Sequence, residues 1–281
     1  MEIRTYAALD DFQSATAPLL TRAPQAQTEH QNVLILRILQ GIADGNYGDY
    51  HLFTVQDDET ILLAAAMTPP HNLALSQGNE SALPFIINYV KQKDIPFPGI
   101  NGPAALTSAF ATIWNATEEK KLSPAIGLPF YVIPHVMPPN PAPGQARLAT
   151  SADLDLLTAW LVDFSVEAGM MPHECVPHRD KVKRKIQHQQ TWIWEDPNGT
   201  PVCFAGHGPA TANGMTIGPV YTPPAHRGQG YASNLVAALS QSILTRGTWC
   251  GLFADAKNPV SNKIYQQIGY IPVFEYQEYR F

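Results

Sequence analysis

The sequence predicts an α/β protein of two similar halves, each a twisted sheet with helices on both faces. Three observations carry this. Strand-like and helix-like periodicities alternate along the chain. The same order of elements occurs twice: His51 and Trp192, and Ile61 and Val202, hold matching places and are each 141 positions apart, as an internal repeat requires. Between the halves, Pro134, Pro138, Pro139, Pro141 and Pro143 crowd a segment that can form neither helix nor central strand. It reads as a linker, giving domains 1–136 and 145–281.

Each half opens with a strand and an amphipathic helix, residues 3–6 then 9–20, and 146–149 then 152–164. A pair of strands joined by an acidic turn follows, 51–55 with 61–67 and 192–194 with 202–206. The order continues through a strand, a helix (80–93 against 232–246), a strand, a helix and a closing strand.

Composition bounds the function. At 281 residues with 45% hydrophobic and 15% charged side chains, the chain can bury two cores. A net charge of −6 opposes a phosphate backbone, so no nucleic-acid partner is expected. No apolar run reaches the roughly 20 residues that span a bilayer. The start Met1-Glu2-Ile3-Arg4 lacks a signal pattern, so no membrane partner and a cytoplasmic location are expected. Cys175, Cys203 and Cys250 are odd in number and far apart, which suits neither a disulfide framework nor a four-ligand zinc site. No metal is expected.

The chemistry concentrates in the second half. Residues 216–222 read as a strand stopped by Pro223 and Pro224. The turn Ala225-His226-Arg227-Gly228-Gln229-Gly230-Tyr231-Ala232 leads into a helix with apolar Leu235, Val236, Leu239 and Ile243. A helix start offers unpaired N–H groups and the positive end of the helix dipole, and glycines let a large diphosphate approach the main chain. Two glycines can also merely close a tight turn. The segment lacks the Gly-Lys-Ser/Thr ending of a P-loop and the three-glycine spacing of a dinucleotide fingerprint.

Arg227-x-x-Gly230-x-Ala232 resembles the diphosphate-binding motif of the GNAT acetyltransferase superfamily, (Arg/Gln)-x-x-Gly-x-(Gly/Ala). About 30 residues on, Asn258-Pro259-Val260-Ser261 through Tyr265 to Gly269-Tyr270 is similar to that family's Asn-x-x-(Ala/Ser)-x-x-x-Tyr-x-x-x-Gly-(Phe/Tyr) segment. The resemblance covers about 147–281, and the first half shares only the order of elements. It implies two tandem GNAT-like domains, each a mixed, mostly antiparallel twisted sheet flanked by helices, the first a degenerate copy. The amides of Gly228, Gln229, Gly230, Tyr231 and Ala232 would hold the diphosphate of coenzyme A, with Arg227 opening the motif and Ser233 adding a hydroxyl. Val220, Tyr221 and Thr222 would offer main-chain bonds to the pantetheine arm and the acyl carbonyl, and Asn258 would face the pantetheine or diphosphate. Tyr265 would lie near the thioester sulfur, where a phenol of ordinary pKa near 10 stays protonated and can donate to the departing thiolate.

No general base stands out. His207, at a strand end, titrates in a useful range, but a backbone-bonded strand-end histidine is the commoner case. His226 reads as a helix-entry residue and Asp255 as a polar strand end. His173 and His178 are five apart with Pro177 between them, unlike the four-residue step of a helical zinc site, so a loop near the acceptor is the reading. Arg179, Lys181, Lys183, Arg184 and Lys185 read as a solvated helix face, or as a patch for an acidic acceptor or the coenzyme's 3′-phosphate. In the first half the equivalent turn, Leu75-Ser76-Gln77-Gly78-Asn79-Glu80-Ser81, lacks the arginine and the paired glycines, and Glu80 would oppose a phosphate. The later helix 104–116 has no tyrosine.

The leading expectation is transfer of an acyl group from acetyl-coenzyme A, or another acyl-coenzyme A, to an amine of a small molecule or peptide. An aminoacyl-tRNA donor and a non-catalytic acyl-coenzyme A sensor or scaffold are the competing readings.

Overall fold

A computed structural model describes residues 1–21, 26–208, 210–211, 213–247 and 249–281. The chain forms two compact units: Met1–Phe130 with Ala254–Asn258 and Pro272–Phe281, and Tyr131–Phe253 with Pro259–Ile271.

In the first unit the order is β1 (Glu2–Tyr6), α1 (Leu9–Leu20), α2 (Ala26–Ala43), β2 (His51–Asp57), β3 (Thr60–Met67), β4 (Leu73–Leu75), α3 (Leu83–Gln92), β5 (Gly99–Pro103), α4 (Ala104–Thr117) and β6 (Ser123–Ile133), whose last three residues count with the second unit. β1, β2, β3 and β4 pair antiparallel in sequence, and β4 pairs β5 in parallel. Alternation along the strands divides their side chains between two cores. Leu63, Ala65, Leu73 and Ile100 join Leu83, Ile86, Phe110 and Trp114 under α3 and α4. Ala64 and Ala66 face the other way, onto Phe12, Leu20, Ile35 and Leu39 of α1 and α2. The small alanines admit two helices on that face. The sequence pattern above places no element between residues 20 and 51, yet α2 lies there.

The second unit runs β7 (Gln145–Leu148), α5 (Leu154–Glu167), α6 (Arg179–Gln187), β8 (Thr191–Glu195), β9 (Pro201–His207), β10 (Gly214–Tyr221), α7 (Tyr231–Leu244), β11 (Trp249–Phe253) and α8 (Pro259–Gln267). β7, β8, β9 and β10 pair antiparallel, and β10 pairs β11 in parallel. Leu157 and Trp160 of α5 and Val182 of α6 pack on Ile193, Phe204 and Tyr221 on one face of the sheet. α7 buries Leu235, Val236, Leu239 and Ile243, the stripe its sequence spacing predicts. Arg147 locks the entry to α5. Its Nη1 and Nη2 donate to the two Asp153 oxygens at 2.8 Å, and its Nε to Glu195 at 2.5 Å, so Asp153 is held below the usual carboxylate range, chiefly by Arg147.

The compact units divide the chain differently from domains 1–136 and 145–281. The last strand, β12 (Ile271–Arg280), lies in the first unit from Pro272 onward, antiparallel to β5 with Tyr276 opposite Pro103 and Arg280 opposite Gly99. Tyr279 and Phe281 pack against the first unit's larger core, Phe281 with its ring 5.3 Å from Phe97 and 5.5 Å from Trp114. Strand alternation in a sequence shows which side chains share a face, not which edge the strand joins.

Candidate functional site

Among the described residues of the second unit, β10 pairs with β11 from Gly214 opposite Trp249 to Ile217 opposite Leu252 and no further. Beyond that point it continues to Tyr221 against β9 alone, past an irregularity between Ile217 and Val220. The main-chain groups of residues 218–221 on the β11 side therefore have no strand ladder there. This is the stretch that carries Val220 and Tyr221, with Thr222 just after.

The turn after β10 carries both glycines of the motif. Gly228 has φ +78° and Gly230 φ +79°, a left-handed conformation that favours glycine and that few side-chain-bearing residues adopt without strain. A Cβ on Gly228 would meet nothing within 4 Å, and one on Gly230 would touch Ala142 and Asn234 at 3.7 Å. Gly230 is the N-cap of α7, and no side chain caps that helix. Gly228, Gln229 and Gly230 are exposed, and Tyr231, Ala232 and Ser233 half-buried. Asn234 donates to the carbonyls of Gly230 at 3.0 Å and Asn140 at 2.9 Å. That ties the proline-rich segment beside the first turn of α7 while the mouth stays open. Uncapped amides, two left-handed glycines and the open space at Gly228 fit a diphosphate.

Arg227 takes a place that its motif position does not reveal. Its Nε donates to the Thr222 carbonyl at 2.8 Å, and its Nη2 to Glu167 Oε2 at 2.6 Å. The Tyr221 hydroxyl donates to the other oxygen, Glu167 Oε1, at 3.2 Å. Tyr221 is fixed by its ring, which lies 6.5 Å from Trp160 and 6.4 Å from Phe204. Burial, then the charges of Glu167 and Asp163, raise its pKa. Glu167 carries no motif and lies 60 positions before Arg227, so local spacing gives no signal for it.

Tyr265 is on α8, which ends at Gln267, two residues before Gly269 with its φ of +106°. Burial, with the Cys203 thiol adding to it, pushes its hydroxyl up to about 12. Cys203 is itself pushed up to about 12 by burial, with the Thr222 hydroxyl beside it. The Thr222 Oγ1 is buried without a hydrogen-bond partner. Tyr265 feels the charge of the Cys203 thiol, and Cys203 in turn lies beside Thr222 just after the end of β10. Cys203 is a neighbour the sequence does not announce.

Asn258 counts with the first unit, its N–H donating to the Asp255 carbonyl at 3.0 Å. β11 stops at Phe253, and Asp255 accepts from the Lys257 N–H in a turn rather than ending the strand. His207 is buried with Nδ1 2.8 Å from the Gly208 carbonyl, and burial lowers its pKa. His226 closes a single turn, Pro224–His226. His178 Nε2 lies 3.2 Å from the His173 carbonyl. Arg179, Lys181, Lys183 and Arg184 are exposed on α6, Arg179 pairing with Asp155, while Lys185 donates to the His207 carbonyl.

Residues 210–280 match the family model described as FR47-like protein. No curated protein matches the sequence. Among solved structures, a GNAT-family acetyltransferase from Colwellia psychrerythraea is similar over 100% of both chains, at 11% identity and a TM-score of 0.62. A GCN5-related N-acetyltransferase from Sphaerobacter thermophilus is similar over 99% of this chain and 94% of its own, at 16% identity and a TM-score of 0.64. A tandem GNAT protein from the clavulanic acid biosynthesis pathway is similar over 99% and 97%, at 10% identity and a TM-score of 0.59. The fold is that of the GNAT acetyltransferases, with the mixed, mostly antiparallel sheet the resemblance implies.

Proposed function

We propose that the chain is an acyl-coenzyme A-dependent N-acyltransferase, using acetyl-coenzyme A to acylate an amine of a small molecule or peptide. The observation that carries this reading is the uncapped mouth of α7 behind Gly228 and Gly230, next to a strand that has left its parallel neighbour after Ile217. The amides of Gly228 to Ala232, with Ser233, hold the diphosphate. Val220, Tyr221 and Thr222 offer unladdered main-chain groups to the pantetheine arm and to the thioester oxygen as it gains charge.

Tyr265 is the acid. A phenol raised to about 12 stays protonated through neutral pH and donates its proton to the thiolate as the carbon–sulfur bond breaks. The neutral amine supplies the electron pair for the new carbon–nitrogen bond, and its extra proton leaves to solvent or to a base. In this reading the first domain is a degenerate copy that binds no coenzyme.

The test is release of free coenzyme A thiol from acetyl-coenzyme A with a panel of amines. Amine-dependent release supports the reading. Binding of acetyl-coenzyme A without release from any amine favours a sensor, and absence of binding removes the donor.

A further inference from the structure

We propose that Glu167 is the carboxylate that receives the ammonium of the acceptor, with Arg227 occupying its place until the acceptor arrives. The proposal rests on the acyltransferase reading for its purpose, since it names the acceptor chemistry as a cationic amine.

Glu167 stands at the carboxyl end of α5, and its two oxygens are held differently. The Tyr221 hydroxyl donates to Oε1 from a ring packed on Trp160 and Phe204, so that bond fixes where the carboxylate points. Arg227 donates to Oε2 from an exposed turn, next to Gly228, where an added Cβ would meet nothing within 4 Å. The two side chains of this ion pair are 45% and 47% exposed, and such pairs hold weakly. A second cation can displace the guanidinium while Tyr221 keeps the carboxylate in place. Asp163 lies one helical turn before Glu167 and also acts on the Tyr221 hydroxyl, which favours a positive ligand. Tyr221 itself ends the strand segment that β11 no longer pairs. A cation on Glu167 is therefore held beside the main chain to which the acyl carbonyl is assigned, and it becomes the neutral nucleophile by giving one proton to solvent before attack. Arg227 also bonds the Thr222 carbonyl, so its withdrawal uncovers an acceptor on that same stretch.

The experiment has two arms on the full chain. The first measures binding of n-butylamine, tyramine and cadaverine at pH 7, each against its neutral alcohol analogue at equal ionic strength, in the wild type and in Glu167→Gln. The expected result is that at least one amine binds ten times or more tightly than its alcohol, and that Glu167→Gln removes the preference while leaving the alcohol unchanged. No preference in the wild type, or the same preference in the variant, overturns the proposal. The second arm titrates acetyl-coenzyme A into both proteins. Equal binding within about twofold keeps Glu167 out of the diphosphate site, and a loss of tenfold or more in the variant assigns Glu167 to the donor side and overturns the proposal. If neither protein binds acetyl-coenzyme A, the donor reading fails, and the first arm still decides the ammonium site.

Discussion

The two units place the same strand, turn and helix at corresponding points, and one turn is shut while the other is open. In the first unit Asn32 accepts from the Gln77 N–H at 2.8 Å, Asn79 from the Ser81 N–H at 2.9 Å, and the Leu62 carbonyl from the Asn79 N–H at 2.8 Å. A Cβ on Gly78 would lie 2.3 Å from the Leu62 oxygen, and one on Gly102 2.9 Å from the Leu75 oxygen, so turn and strands are closed against protein. In the second unit Gly228 faces open space, α7 has no side-chain cap, and β10 has parted from β11. Buried amides must find acceptors. Where the chain supplies them the turn is structural, and where it does not the turn is free to bind an anion.

The sharpest way to break this contrast is to shut the open mouth. Asp tolerates a left-handed backbone, so Gly230→Asp keeps the turn and sets a carboxylate against the diphosphate. Calorimetry is expected to show acetyl-coenzyme A bound about 100-fold more weakly, roughly 2.7 kcal/mol, and unchanged affinity would contradict the cradle.

Next is Tyr265→Phe, for which steady-state kinetics are expected to give a kcat lower by about 100-fold with KM for acetyl-coenzyme A held, the low end of the range for a lost general acid. Equal kcat would remove Tyr265 from that role. With the wild-type hydroxyl raised to about 12, the pH profile of kcat is expected to show no alkaline fall at the ordinary phenol value near 10. Stability follows the opposite demand. The raised phenol stabilises the fold fully below about pH 10, the unfolded value, and that contribution is lost as pH climbs toward about 12. An alkaline denaturation midpoint that does not move in Tyr265→Phe would contradict the shift.

The smallest effect belongs to the closed turn. Asn79→Ala is expected to lower stability by about 1 kcal/mol through loss of a helix cap, read by urea unfolding, with acetyl-coenzyme A affinity unaltered. A change in that affinity would mean that the first turn also takes part in binding.

Much of this was legible in residues. Pro223 and Pro224 stop β10, Gly228 and Gly230 set the turn, and Leu235 through Ile243 place the face of α7, because each depends on local conformation or periodicity. Three features were not. α2 lies outside the repeat's obvious landmarks, β12 pairs with β5, a partner that no alternation can specify, and Glu167 meets Arg227 and Tyr221 only through tertiary packing. The closing of the first turn by Asn32, 45 positions from Gln77, is hidden for the same reason. The missing arginine and second glycine in its sequence give the direction but not the means.

The asymmetry between the two turns is tested most directly by the stoichiometry of acetyl-coenzyme A binding to the full chain in a calorimetric titration. One site per chain is the expected result. Two equivalent sites, or none, would contradict it.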